Sequence, residues 1–153
     1  MRGNYLMYWD ENQVNIAMSK DLINWEPLPG KNGDLKAAMH PRKGCFDSAL
    51  TECGPPALLT DRGILLLFYN GKNSKGQDRD FRFKDGSYCA GQALFNKNNP
   101  LELIARLDLP FFKPSADFEK SGQYPDDTVF IGGLAFFTKN GFFITVVPIQ
   151  KSA

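Results

Sequence analysis

Residues 45–71 read CFDSALTECGPPALLTDRGILLLFYNG, a polar and acidic segment that leads through Gly-Pro-Pro into a long apolar run. Proline fixes φ and lacks a backbone donor, so Pro55 and Pro56 make poor sheet interior and favour a rigid turn. We expect this turn to hold the preceding loop, and with it the carboxylate of Glu52, in a fixed place. Such a loop is typical of the rim of a functional site.

Length and charge narrow the class of protein. The 153 residues predict one domain with its own core. The 18 basic and 17 acidic residues give a formal net charge of +1, without a basic run or an acidic tail. This balance argues against nucleic acid or an anionic membrane as a partner and favours an uncharged ligand. The aromatic share of 13%, mostly Phe, fits β structure, and core packing explains most of it.

The cysteines and the histidine predict neither a metal site nor a cofactor. Cys45, Cys53 and Cys89 form no C-x-x-C pair, and His40 is the only histidine. An odd number of cysteines also argues against a disulfide framework and fits a reducing compartment. No apolar signal region follows Met1 and no apolar run is long enough for a membrane span. We expect a cytoplasmic protein, or a periplasmic or secreted one if the N-terminus is incomplete.

Short segments with strand periodicity and evenly spaced turn signals predict an all-β domain. A long loop with one short helical turn at residues 35–39 is expected between the first hairpin and the central segment. A sandwich, a barrel and a propeller all fit this pattern. The predicted strands are residues 5–9, 13–18, 63–69, 87–95, 101–109, 128–137 and 142–147.

Two stretches resemble glycoside hydrolase family 130. The segment YLMYWDENQVNIAMSKDLINWEPL, residues 5–28, is similar to the strand-turn-strand of sugar-hydrolysing propellers. The run ECGPPALLTDRGILLLFYNG is similar to the family's Gly-Pro-Pro turn and following strand, and YCAGQALF and VFIGGLAFF match later strands. The resemblance covers most of residues 5–143. It implies a five-bladed β-propeller that acts on β-mannosides by inverting phosphorolysis or by hydrolysis, with an oligosaccharide as substrate.

The resemblance also suggests site residues. Glu52 lies where hydrolytic members carry a glutamate, which makes it the candidate catalytic acid or base. Leu50 and Asn70 replace a lysine and a histidine that help to bind phosphate in phosphorolytic members. Because phosphate needs charge-assisted donors, their loss favours hydrolysis over phosphorolysis.

Further residues are candidates for the functional site, and each also has a purely structural explanation. Asp47, Tyr69, Asn70 and Asp126 are expected to bind substrate, and Asp127 is a weaker catalytic candidate. Glu52 could instead cap a backbone N–H, and Asp47 could form an Asx-turn. Asp126 and Asp127 could be turn residues, and Tyr69 and Asn70 could cap the end of a strand.

Departures from the family pattern leave the activity open. Gly132 stands where the second glutamate of hydrolytic members is expected, and inverting hydrolysis needs two carboxyl groups about 6.5–9.5 Å apart. The resemblance implies that residues 1–153 form a single incomplete propeller of about three blades, without the N-terminal blades and the closing blade. The alternative function is therefore that of a non-catalytic propeller remnant or of a module that binds carbohydrate weakly, and a mannoside phosphorylase is the less favoured alternative. Exposed blade faces would also allow self-association, including two copies that complete a ring.

Overall fold

A computed structural model of the protein describes residues 3–62, 64–121, 126–137 and 140–146. The regular secondary structure of the described residues consists of β-strands and two short 3-10 turns, at Lys31–Gly33 and Asp117–Glu119. The all-β prediction is therefore confirmed. The strands are β1 (Tyr5–Trp9), β2 (Val14–Ser19), β3 (Glu26–Pro27), β4 (Ala37–Met39), β5 (Leu50–Cys53), β6 (Leu58–Leu59), β7 (Ile64–Lys72), β8 (Tyr88–Asn96), β9 (Asn99–Arg106), β10 (Phe130–Phe137) and β11 (Asn140–Val146).

The first sheet is built around β2, which pairs antiparallel with β1, β3 and β4. Asp10 and Asn12 in the β1–β2 turn have φ of 88° and 69°, a conformation that Asp and Asn tolerate better than other non-glycine residues. The predicted hairpin is confirmed. The helical turn expected at residues 35–39 is wrong, because β4 occupies Ala37–Met39 and buries Met39 in the core. Pairing and burial outweigh the weak local helical preference here.

The second sheet has the order β5-β7-β8-β9, and β6 also pairs with β7. The apolar run forms β7, which lies at the centre of this sheet with residues 67–71 buried. The predicted buried strand is therefore confirmed. Glu52 lies on β5 rather than on a loop, because β5 pairs with the end of β7. The expectation that Glu52 lies on a loop is therefore wrong.

The hydrophobic core fills the space between the first and second sheets. Tyr8 of β1 lies against Phe95 of β8, with ring centroids 4.8 Å apart. Phe46, in the segment before β5, stacks on Tyr69 of β7 at 6.1 Å. The two sheets are thus joined through one continuous core. Its largest members are Val14, Ile16, Met39, Phe46, Leu67, Tyr69 and Phe95.

The third sheet is the hairpin of β10 and β11, which confirms the last predicted hairpin. The turn that Lys-Asn-Gly predicts at residues 139–141 is wrong at Asn140 and Gly141, because both pair with β10 as the start of β11; residue 139 lies outside the described residues. Phe143 of β11 packs on Phe68 of β7 at 4.8 Å and on Phe111 at 5.5 Å. Phe136 and Phe137 are exposed, at 63% and 71%. Self-association through this face stays a prediction. Three successive antiparallel sheets match a partial propeller, as the resemblance implied.

Candidate functional site

Glu52 lies on β5 directly opposite Asn70 of β7. Directly paired residues point to the same face of a sheet, so both side chains face the third sheet rather than the core. Burial raises the pKa of Glu52, and the negative charge of Glu11 raises it further. Within the described residues no backbone N–H donates to the Glu52 carboxylate, so the capping alternative does not hold for them. Glu52 is thus a half-buried carboxyl group whose pKa lies above its ordinary value.

The β1–β2 turn runs beside β5 and makes this edge of the second sheet acidic. Thr51 N donates to Asn12 O and Cys53 N donates to Asp10 O, both at 3.2 Å. These bonds bring the turn alongside Glu52. Burial, Asp10 and Glu52 together raise the pKa of the Cys53 thiol to about 12, so this cysteine is a poor nucleophile. The turn was predicted as a hairpin connection, but its place beside Glu52 depends on contacts between the first two sheets.

The side chain of Asn70 is hydrogen-bonded to another strand of the protein. Its Nδ2 donates to Ile131 O at 3.1 Å, and its Oδ1 accepts from Ile131 N at 2.8 Å. The carboxamide thereby joins the centre of the second sheet to β10 of the third. Both polar atoms of this amide have partners, which is the arrangement that buried polar groups require. A substrate contact by Asn70 stays a prediction.

Gly132 lies next to this contact. Ile131 pairs with Thr145 and Gly133 pairs with Ile144, so Gly132 is the extra residue of a β-bulge. It is exposed, and the preceding residue is the partner of Asn70, which lies opposite Glu52. Two residues, Asn70 and Ile131, thus connect Glu52 to position 132: Asn70 lies opposite Glu52 and bonds to Ile131, which precedes Gly132. Glycine presents no side chain there.

Leu50 and Lys72 are the next pair on the same face. Lys72 was not singled out from the sequence, although strand alternation from Asn70 predicts that it shares a face with that residue. Its Nζ lies 5.0 Å from the centre of the Tyr88 ring, in cation–π range. One cation is therefore present on the face that carries Glu52, opposite the leucine that replaces the expected lysine.

Asp47 is fully buried and lies in a network of two arginines and a tyrosine. Arg42 donates to both carboxylate oxygens, at 3.3 and 3.1 Å, and Arg106 donates to Oδ2. The Tyr69 hydroxyl donates to the same Oδ2 at 2.7 Å and accepts from Arg106 Nε at 2.9 Å. Burial, and then the charge of Asp47, raise the pKa of Tyr69.

This network joins distant parts of the chain, since Asp47 and Arg106 are 59 residues apart. The sequence analysis missed both arginines, because neither lies near Asp47 in a recognisable motif. The bonds to Asp47 are those of a structural centre rather than of an Asx-turn. The assignment of Asp47 and Tyr69 to substrate binding stays a prediction.

Asp126 and Asp127 each pair with a lysine of the loop between β7 and β8. Lys75 Nζ lies 2.8 Å from Asp126 Oδ2, and this hydrogen bond lowers the pKa of Asp126. Lys84 Nζ lies 3.3 Å from Asp127 Oδ1. A carboxylate held in its anionic form can accept a proton or a hydroxyl hydrogen but is a poor proton donor. The proposed roles of both residues stay predictions.

The part of the chain that the structure describes contains neither a cluster of metal ligands nor a membrane-spanning helix. It holds no group of three or more His, Cys, Asp and Glu residues that could bind a metal ion. No helix there has the length and apolar character needed to cross a membrane.

Three antiparallel sheets, with the half-buried Glu52 on the second, are the features of a partial propeller. The sequence profile of glycoside hydrolase family 130, described as beta-1,4-mannooligosaccharide phosphorylase, matches residues 1–144. The chain belongs to this family, whose members act on β-mannosidic linkages.

Two solved structures and one curated relative show what the chain is similar to. A candidate glycosidase from Bacteroides thetaiotaomicron is 55% identical, with a TM-score of 0.89 over 94% of this chain and 41% of that one. A second structure comes from work on family 130 hydrolases that target beta-1,2 mannosidic linkages in Candida mannan. It is 50% identical, with a TM-score of 0.88 over 94% of this chain and 39% of that one.

The curated relative is beta-1,2-mannobiose phosphorylase from Listeria innocua. It is 29% identical over 119 residues, which are 78% of this chain and 28% of the relative. The chain thus spans less than half the length of each of these three proteins. Similarity extends to both hydrolases and phosphorylases.

Proposed function

We propose that the protein carrying this chain hydrolyses β-mannosides and that Glu52 donates a proton to the leaving oxygen. The observation that carries the proposal is the place of Glu52, half-buried on β5 opposite Asn70 and beside the β1–β2 turn, where burial and then the charge of Glu11 raise its pKa. A general acid must hold its proton near the working pH, and burial is the usual means by which enzymes raise a carboxyl pKa. In an inverting reaction, water attacks the anomeric carbon from the opposite face of the sugar.

The contacts of Asn70 support hydrolysis over phosphorolysis. Phosphate carries two charges near neutral pH and binds best to charged donors. Leu50 has no donor, and the Asn70 amide is bonded to Ile131. Lys72 is the cation that remains on this face, and it lies over the Tyr88 ring. The described part of the face therefore offers a phosphate ion one cation.

Product analysis tests this proposal. The protein is incubated with β-1,2-mannobiose and with β-1,4-mannobiose, with and without inorganic phosphate, and products are followed by proton NMR. We expect free mannose, released first as the α-anomer, at equal rates with and without phosphate. Formation of mannose 1-phosphate that requires phosphate would contradict the proposed hydrolysis.

Gly132 favours a second candidate function, a carbohydrate-binding protein without catalysis. The residue is exposed beside the Asn70–Ile131 contact, at the position where the resemblance implies a second carboxyl group. Glycine cannot transfer a proton, so water at this place lacks a base. Binding of mannobiose without cleavage, measured by calorimetry, would support this candidate over the first.

Replacing Gly132 with glutamate separates the two candidates. If position 132 normally supplies the second carboxyl, Gly132→Glu should raise the rate of mannobiose hydrolysis by about 10²-fold or more, the usual range for one positioned acid or base. Gly76→Glu, on the exposed loop between β7 and β8, is the control, because a Cβ there meets only the Ser74 hydroxyl at 3.6 Å, and it should give no gain. An unchanged rate in a folded Gly132→Glu variant would mean that this position has no catalytic role.

A further inference from the structure

A second carboxyl group, that of Glu11, lies opposite Glu52 across the contact between the β1–β2 turn and β5. Two backbone hydrogen bonds of 3.2 Å run from residues 51 and 53 of β5 to residues 12 and 10 of the turn. Glu52 is the residue between the two donors, and Glu11 is the residue between the two acceptors. The two segments run antiparallel, so these bonds place the glutamates directly opposite each other.

The turn that carries Glu11 is held in one shape by its neighbours. Asp10 Oδ1 accepts from Glu11 N at 2.9 Å, and Asp10 Oδ2 accepts from Asn15 Nδ2 at 2.7 Å. Asn15 is almost fully buried, so it anchors the turn to the first sheet. Both oxygens of Asp10 are bound within the turn, which makes Asp10 a structural carboxylate. The backbone of Glu11 is therefore positioned before a substrate binds, as a catalytic group requires.

The two opposed glutamates have different surroundings. Glu52 is half-buried, whereas Glu11 is exposed. Within the described residues, no hydrogen bond or ion pair occupies the carboxylate of Glu11. Burial, and then the charge of Glu11, raise the pKa of Glu52. A pair of carboxyl groups in unlike environments is the arrangement in which one group donates a proton and the other accepts one.

The spacing that inversion needs is within reach of this pair. Opposed residues of antiparallel segments have Cβ atoms about 4.5–5.5 Å apart. Two glutamate side chains that diverge from such positions can place their carboxyl groups about 6.5–9.5 Å apart, which leaves room for a water molecule. The side chain of Glu11 is free to diverge in this way, because it is exposed.

We infer, on the basis of the proposed function, that Glu11 is the general base that activates the attacking water. As the water oxygen bonds to the anomeric carbon, the carboxylate of Glu11 takes a proton from that water. The bond between the anomeric carbon and the leaving oxygen breaks, and this oxygen takes the proton of Glu52. Such a pair needs no carboxyl group at position 132.

Kinetic measurements on Glu11→Gln test this role. Release of mannose from β-1,2-mannobiose and from β-1,4-mannobiose is compared with that of Glu26→Gln, which changes an exposed glutamate of β3. We expect Glu11→Gln to lower kcat by about 10²–10⁴-fold, the contribution of a positioned base, with little change in the binding of mannobiose. The Glu26→Gln control should keep the rate of the parent protein.

Sodium azide distinguishes a base from a residue that only supports the fold. The azide ion is a nucleophile without a proton to lose, so it can attack the anomeric carbon when no base is present. Azide should restore cleavage by Glu11→Ala and give α-mannosyl azide, because attack opposite the leaving oxygen inverts the β configuration. It should not restore cleavage by Glu52→Gln, in which the leaving oxygen still lacks an acid.

The outcomes separate the role of Glu11 from the proposed function. If Glu11→Gln is as active as Glu26→Gln while Glu52→Gln is impaired, Glu11 is not the base and the proposed hydrolysis stands. A Glu11→Ala protein that keeps its thermal midpoint and is inactive with azide would also overturn the role of Glu11. Cleavage that requires phosphate and yields mannose 1-phosphate would remove both, because no water is then activated.

Discussion

Replacing Glu52 with glutamine should lower the rate of mannoside hydrolysis by about 10²–10⁴-fold, the contribution of a positioned general acid. Glutamine keeps the size and polarity of the side chain but cannot release a proton. Burial and the charge of Glu11 raise the pKa of Glu52, and the variant lacks the carboxyl group on which they act. The loss should appear in kcat rather than in the binding of mannobiose, since the interaction is made mainly in the transition state.

Glu26→Gln is the matched control for this measurement. Glu26 is exposed on β3 of the first sheet, so the same exchange there removes a carboxylate away from β5. Rates are compared by release of mannose at several pH values. A Glu52→Gln protein as active as the Glu26→Gln control would exclude Glu52 as the acid.

A second readout on the same Glu52→Gln protein uses stability. A folded-state pKa above the ordinary value of 4.5 means that the folded protein holds this proton more tightly than the unfolded chain. The stability due to this group is therefore present below pH 4.5 and is lost as the pH rises through the folded pKa. Urea unfolding across this interval should show a smaller decline with pH for Glu52→Gln than for the parent protein.

Replacing Gly91 with alanine should destabilise the fold by several kcal/mol. A Cβ at position 91 would lie 2.2–2.5 Å from atoms of the Tyr69 ring, closer than real contacts allow. Overpacking alone costs about 1–3 kcal/mol. Displacement of Tyr69 would also disturb its hydrogen bonds to Asp47 and Arg106, and a hydrogen bond to a charged group contributes about 1.5–3 kcal/mol.

Gly76→Ala is the control for this prediction. A Cβ at Gly76 would meet only the Ser74 hydroxyl, at an ordinary 3.6 Å. Urea unfolding should give nearly the same midpoint for Gly76→Ala as for the parent protein and a much lower one for Gly91→Ala. Equal midpoints for the two variants would show that Tyr69 moves aside without cost and that its network contributes little stability.

The strands were predictable where one face is buried and the pattern is local. The alternation of polar and apolar residues predicted the β1–β2 hairpin, and the apolar run predicted the centre of β7. Residues 35–39 were mispredicted because β4 exists only through its pairing with β2, which the local sequence does not record. Glu52 was placed on a loop for the same reason, since β5 needs the end of β7 as its partner.

The candidate site was predictable only in part. Glu52 and position 132 follow from the resemblance, and the structure connects them through Asn70 and Ile131. The partners of Asp47 could not be inferred, because Arg42 and Arg106 reach it from different segments of the fold. Long-range side-chain contacts of this kind leave no periodic signal in a single sequence.

The contact between Asn70 and Ile131 also makes the attachment of β10 independent of the side chain at the neighbouring position 132. The asparagine side chain bonds to main-chain atoms of Ile131, so β10 is held without the help of the side chain at position 132. The bulge then presents that position to solvent, while the residues on both sides of it stay paired with β11. Substitutions at 132 can therefore change the chemical group that is presented there while the strand that carries them keeps its attachment.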